Sequence, residues 1–312
     1  MRREGSALHG VGVVMLKELS DHVTSVRMRV IEWLVVLVAL VALYFAIQQI
    51  RDVTAEDQFL FLRLFTTSRE PLPSFVTFLT FLVPLIAIGL GFDAVNGEHN
   101  RRTLSRILAQ PIYRDALLFG KFLAGLFTLS ISLIALWLLV IGLGLLLLGV
   151  PPNAEEMLRA VIFLFIVIAY GAVWLALAIL FSVVFRSTAS AALVTLGLWL
   201  FLTLIWPGLS QALATGLLTG ASEETVILSA QMLSRISPGV LFSEAYLAIL
   251  NPSTRSLGPI YLSQLQGAVI GAPLPLSESL LIAWPQIVGL VAGTILLFVA
   301  GYITFQRQEV RA

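Results

Sequence analysis

FLAGLFTLSISLIALWLLVIGLGLLLLGV, residues 122–150, runs for 29 residues without a charged side chain. A helix rises about 1.5 Å per residue and the hydrocarbon core of a bilayer is about 30 Å thick, so roughly 20 such residues suffice to cross it. This run can cross with a tilt, and Pro151 and Pro152 stop it. Five more apolar runs flank it. They are VIEWLVVLVALVALYFAIQQI (30–50), with Glu32 and Trp33 at its edge, SFVTFLTFLVPLIAIGLGF (74–92), which contains Pro84, and AVIFLFIVIAYGAVWLALAILFSVVF (160–185). After a short break around Arg186 come ASAALVTLGLWLFLTLIWPGL (189–209) and, much later, LLIAWPQIVGLVAGTILLFVAGYITF (280–305), followed by the tail 306–312. The expectation is an all-α integral membrane protein with a six-helix transmembrane domain over 30–305.

Composition agrees. Of 312 residues 58% are hydrophobic and 12% charged, and mean hydropathy is +0.96, where soluble domains carry about 25% charged residues. A net charge of +1 with interspersed signs leaves no footprint for nucleic acid. The absence of cysteine excludes disulfides, thiolate metal sites and cysteine nucleophiles. His9, His22 and His99 all lie outside the apolar runs and no HExxH is present, which removes the usual ligands of a membrane-embedded metalloenzyme. The residues before the first run carry both signs of charge and no small-residue cleavage site follows it, unlike a cleavable signal peptide.

An even number of spans puts both termini on one side. That side holds 13 of the lysines and arginines, including Lys17, Arg27, Arg101, Arg102, Arg106, Arg114, Lys121 and Arg307, against 6 on the other. Basic residues favour the cytoplasmic side, so the expectation is cytoplasmic termini.

Residues 1–29 form the N-terminal region. Within 8–30, Val14, Leu16, Leu19, Val23 and Val26 are expected near one face of a helix lying in the headgroup plane, with Lys17, Glu18 and Arg27 elsewhere on it. Residues 210–279 form an outer loop too long for a plain connection. Two amphipathic helices are expected in it, 223–236 after Ser222 and 238–250 before Asn251-Pro252, followed by a surface or re-entrant stretch over 258–276. The cytoplasmic loop 96–115, NGEHNRRTLSRILAQPIYRD, reads as a short helix bounded by Gly97 and Pro111. Leu104, Ile107 and Leu108 fall at helical spacing, with Arg101, Arg102, Ser105 and Arg106 on the remainder. From the residues alone this is either a basic headgroup anchor or a docking surface for a soluble protein.

The pattern E-x-x-x-x-T-L-x-x-x-L-x-x-P, carried by Glu98, Thr103, Leu104, Leu108 and Pro111 and followed by Arg114 and FGKFLAG (119–125), resembles the coupling helix of type-2 ABC exporter permeases. The likeness extends over nearly the whole chain through the six spans, leading interface helix and long outer loop. KEL (17–19), Ser237-Pro238 and the closing FQRQEVRA resemble a branch of that family that includes permeases serving nitrous oxide reductase maturation. The chain departs from many members in carrying Arg102 where they have glycine before the threonine. The resemblance implies a prokaryotic cytoplasmic membrane, docking of a separate ABC ATPase on Glu98, Arg101, Arg102, Thr103, Leu104, Leu108, Pro111 and Arg114, and an interface helix using Lys17, Glu18 and Arg27. It also implies a second permease, identical or homologous, and contact with membrane lipid. No cofactor is expected on this chain. It has no GxxxxGK[ST], since Gly120-Lys121 lacks both the upstream glycine and the hydroxyl residue, so ATP and magnesium belong to the partner.

Other residues have plainer readings. Asp93 reads as interfacial, Pro84, Gly89 and Gly91 as packing features, Trp206, Trp284 and Tyr302 as belt residues, and Glu244 and Glu278 as solvated loop charges. The spans hold almost no ionisable residues, which argues against an intramembrane enzyme and against a proton- or sodium-coupled carrier. A non-transporting assembly or structural protein stays open, as does the substrate.

Overall fold

The computed structural model of the chain describes residues 10–51, 59–68, 73–103, 114–149, 151–257 and 273–308. Among these residues every regular element is a helix. The short α1 (Val11–Thr24) leads into α2 (Val26–Arg51), and the single-turn α3 (Arg63–Thr66) precedes α4 (Phe75–Gly91). Another single turn, α5 (Asn96–Asn100), follows α4; the long α6 (Arg114–Leu148) and α7 (Ala154–Val184) come next. Then α8 (Thr188–Leu200) passes through a π-helical turn, Phe201–Ile205, into α9 (Trp206–Leu217). The remaining helices are α10 (Glu223–Ser234), α11 (Pro238–Leu250) and α12 (Leu276–Arg307). Six stretches are long and apolar enough to cross a membrane: α2, α4 with α5, α6, α7, α8 through α9, and α12. The chain is therefore a multi-pass membrane protein.

Helix starts follow local chemistry. Ser74, Ser187 and Ser222 accept backbone N–H bonds from Thr77, Ser190 and Thr225, and Asn153 and Glu156 cap each other's backbone reciprocally at the head of α7. That capping pair starts α7 at Ala154, ahead of the apolar run at 160. The π turn has a cause in Pro207, which cannot donate to the carbonyl of Thr203 and whose ring crowds it; the Trp206 N–H bonds back to Phe201 instead.

The fourth span, α7, is the hub of the bundle. It packs against α4, α6, α8, α11 and α12, and 72% of its most apolar window is buried, against 11% for α12. Lipid tails are as apolar as leucine, so close backbone approach rather than the hydrophobic effect holds such helices together. At Gly171 a Cβ would lie 2.5 Å from Leu129 and 2.9 Å from Val83, and its absence lets α6 and α4 both close onto α7. Leu146, Leu193, Leu204, Leu281 and Leu296 stand on exposed faces of the outer spans, as expected where the solvent is lipid.

The segment between spans five and six leans into the bundle. Helices α10 and α11 meet at 107°, and α11 packs on α7 and α12. Arg159 of α7 is fully buried and pins the far end of α11, donating to the carbonyls of Ile249 (2.8 Å) and Leu274 (2.6 Å) and to Ser279 Oγ (3.1 Å), and pairing with Glu155 at 2.8 Å. Glu244 is not the solvated loop charge expected of it. Its side chain is 13% exposed and accepts from Arg235 Nε (2.8 Å), Gln231 Nε2 (3.0 Å) and Gln286 Nε2 (2.9 Å), which joins α10, α11 and α12. The stretch 258–276 lies mostly outside the described residues.

The packing reading of the glycines at the end of the second span holds. A Cβ on Gly91 would lie 2.8 Å from Ala178 and one on Gly89 3.1 Å from Ile31.

Candidate functional site

The site begins where the second span ends. The N–H groups of Val95 and Asn96 both donate to Ser182 Oγ, at 2.9 and 3.3 Å, and Asn96 Nδ2 donates to the carbonyl of Phe185 at 3.2 Å. The start of α5 is thereby tied to the turn between α7 and α8. The helix expected between Gly97 and Pro111 is interrupted at 101–103, and 104–113 lie outside the described residues. Gly97 lies inside α5 rather than bounding it, and α5 stops at Arg101. Arg102 then takes the left-handed conformation, φ 55°, and the Thr103 N–H (3.0 Å) and Oγ1 (3.2 Å) both return to the carbonyl of Glu98. The position where many resembling proteins carry glycine is thus one whose backbone favours glycine. Arg101 and Arg102 are exposed; Leu104, Leu108 and Pro111 lie outside the described residues.

Glu98 points back into the protein. Its Oε1 lies 2.6 Å from Lys121 Nζ on α6, and neither carboxylate oxygen makes an aligned hydrogen bond, so the contact is an ion pair. The same ammonium donates to Glu18 Oε1 of α1 at 2.9 Å. The Lys121 side chain is 3% exposed, those of Glu18 and Glu98 12% and 13%. Burying an ion costs several kcal/mol unless it is paired, and here one cation serves two anions from different parts of the chain. Lys17 adds a more exposed bridge to Glu18 and Asp21, each at 2.9 Å. Burial pushes the Glu18 carboxyl up, but Lys121, then hydrogen bonds from Lys17 and Lys121, outweigh it and hold the group below its ordinary value. Burial pulls the Lys17 ammonium down, and its bonds to Glu18 and Asp21 raise it on balance.

Helix α1 itself corrects the expected face. Val14 is buried, while Leu16 and Val23 stand 63% and 59% exposed on other sides, and Val26 belongs to α2, beyond the extended Ser25. On a helix, positions 16, 19 and 23 cluster whereas 14 falls opposite. Val14 packs on α6, and a Cβ on Gly120 would lie 2.7 Å from its Cγ1. The side chain of Arg27 lies outside the described residues.

The far side of the loop is anchored elsewhere. Arg114 Nη1 donates to the carbonyl of Gln308 (3.0 Å), and the Tyr302 hydroxyl (3.1 Å) and Gln306 Nε2 donate to Asp115. Tyr302 therefore does more than sit at a membrane boundary. Sequence reasoning placed Glu18, Glu98 and Arg114 but missed Lys121 as the partner of the two carboxylates. The available signal was a single lysine at the mouth of a 29-residue uncharged run. Among the described residues no group of histidines and carboxylates could hold a metal ion.

Residues 13–310 match the family model described as ABC-2 family transporter protein. The protein "Probable ABC transporter permease protein NosY" of Pseudomonas aeruginosa is 31% identical over 224 residues, covering 69% of this chain and 72% of that one. The protein of the same name from Stutzerimonas stutzeri is 28% identical over 259 residues, covering 78% and 82% respectively.

Proposed function

The chain belongs to the ABC-2 transporter family, and on that premise we propose that this membrane permease subunit couples ATP hydrolysis on a separate ABC ATPase to export, or to a conformational change across the membrane. The loop 96–115 is the docking element, with Glu98, Arg101, Arg102, Thr103, Leu104, Leu108, Pro111 and Arg114 forming or orienting the contact. ATP and magnesium sit on the partner, and two permease chains, identical or homologous, form the pathway in a prokaryotic cytoplasmic membrane with both termini inside.

The observation that carries this reading is the way the loop is strung. Its entry is fixed by Glu98 to Lys121 on the third span, and its exit by Arg114 and Asp115 to the end of the sixth. A headgroup anchor has no need of such fixed ends, whereas a lever must be joined to what it moves.

The test is capture of the ABC ATPase of this transporter, by wild type and by Leu104→Ala/Leu108→Ala at matched membrane expression. A few apolar anchors carry most of the energy of such an interface, so each loss is expected to cost on the order of 1–3 kcal/mol and recovery to fall at least several-fold. Equal recovery would return the loop to the status of a headgroup anchor.

A further inference from the structure

We infer that Lys121 is a positioning residue that locks α1 to the entry of the docking loop, so that the loop, α1 and the first span move as one body. This rests on the docking role proposed for the loop.

Three observations converge. First, Lys121 is the meeting point of three elements far apart in sequence: Glu18 on α1, Glu98 on α5, and α6 itself. Plain packing would be served as well by apolar residues. A buried ion cluster is often no more stabilising than a hydrophobic one of the same size, but it tolerates only one arrangement of its partners. Second, the residue before it is Gly120, where a Cβ would lie 2.7 Å from Val14 Cγ1 and 3.2 Å from the carbonyl of Val11. Helix α1 therefore rests with its backbone against α6 beside the ion cluster, with little room to slide. Third, α1 is joined to the first span by a tight elbow. The Ser25 N–H donates to the carbonyl of His22 (3.2 Å), and Ser25 Oγ accepts from the Met28 N–H (3.1 Å).

The two ends of the loop are thus held differently. Its entry is clamped by buried full charges, while its exit is held by a solvent-exposed Arg114 bond to a carbonyl and by neutral donors to Asp115. Exposed contacts exchange readily with water, and buried ion pairs do not. Displacement of the docked loop passes without slack through Lys121 to α1 and through the Ser25 elbow to the first span, while the exit can give.

The chain has no cysteine, so two can be placed at will. Spin labels at Val13→Cys and Asn100→Cys, both exposed and outside the ion cluster, report the distance between α1 and the loop in the full-length chain in lipid nanodiscs. The wild-type background is expected to give one narrow peak, retained when the transporter's ABC ATPase is added and trapped with ADP and vanadate. Lys121→Met should lose the narrow peak, and Lys121→Arg should keep it, because arginine restores a cation between the two carboxylates while the apolar methionine supplies packing alone. If Lys121→Met does not fold, the near-isosteric Glu98→Gln carries the same expectation. A narrow peak in Lys121→Met or Glu98→Gln, or a Lys121→Arg peak as broad as that of Lys121→Met, overturns the inference. Failure of the docking reading would look different: Leu104→Ala/Leu108→Ala would bind the ATPase as well as wild type, with the label distances unaffected.

Discussion

Tyr170 lies flat against Phe242, ring centroids 4.5 Å apart and planes 8° from parallel, which sets the first turns of α11 beside the middle of the fourth span. Tyr170 is 14 residues from Val184 at the other end of α7, roughly 21 Å along the helix axis. Arg159 holds the opposite end of α11. The helix therefore runs antiparallel to α7 within the bundle, held by a ring stack at one end and a buried guanidinium at the other.

Replacing Phe242 by Leu keeps an apolar side chain but removes the stack, the ring contacts with Phe163 and Tyr246, and some buried volume. The stack alone contributes about 0.5–1.5 kcal/mol beyond area burial, so a decrease in unfolding free energy in detergent of at least that size is expected. The release should be local, seen as faster thiol labelling of a cysteine placed at Ser237. Unchanged labelling would mean that the stack does not hold α11.

Arg159→Met should be more damaging. It strands the carbonyls of Ile249 and Leu274, and a buried acceptor left without its donor costs about 1–3 kcal/mol, so a loss near 3 kcal/mol is expected from the pair. Thermal unfolding in nanodiscs measures it; a variant as stable as wild type would show that water reaches both carbonyls.

Arg102→Gly should stabilise the chain or leave it unchanged. A left-handed conformation costs a non-glycine residue roughly 1–2 kcal/mol, and the greater freedom of glycine in the unfolded chain returns part of that. Arg102→Val, β-branched at the same φ, should destabilise it. The order Gly above Arg above Val in melting temperature is the expected result, and Gly below Arg would contradict a strained turn.

Acid should release α1 only late. The Glu18 carboxyl is held below its unfolded value, so its contribution is fully present above the unfolded pKa of about 4.3 and lost as pH falls through the lower folded value. The mobility of a label at Val13 should therefore stay flat from neutral pH down to about 5 and rise only below about 4. Glu18→Gln should remove that acid limb. A midpoint near 6 would assign the transition to another group.

Orientation is open to the same cysteine chemistry. In intact cells an impermeant thiol reagent should modify Glu223→Cys at the head of α10 and spare Arg106→Cys until the membrane is broken. The reverse pattern would invert the topology.

The amino-acid sequence by itself determined the membrane class, the six spans and many of the helix starts. These depend on local quantities: the length of an uncharged run against the thickness of a bilayer, and a serine or asparagine placed to cap the next turn. Ser222 before α10 and Pro238 at the head of α11 could be read directly because a cap and its helix are neighbours in the chain. The departure at Arg102 was also visible, though the left-handed backbone beneath it was not. Tertiary structure alone decided which charges meet. Lys121 finds Glu18 across 103 residues, Arg159 finds carbonyls 90 and 115 residues away, and Glu244 is enclosed by side chains from α10 and α12. It also turned Val14 inward while leaving Leu16 outward, because α6 offers a glycine on the side of Val14 and Leu16 stands exposed on the other. A buried ion is tolerable only beside its partner, and that partner is chosen by which segments the packed helices bring together.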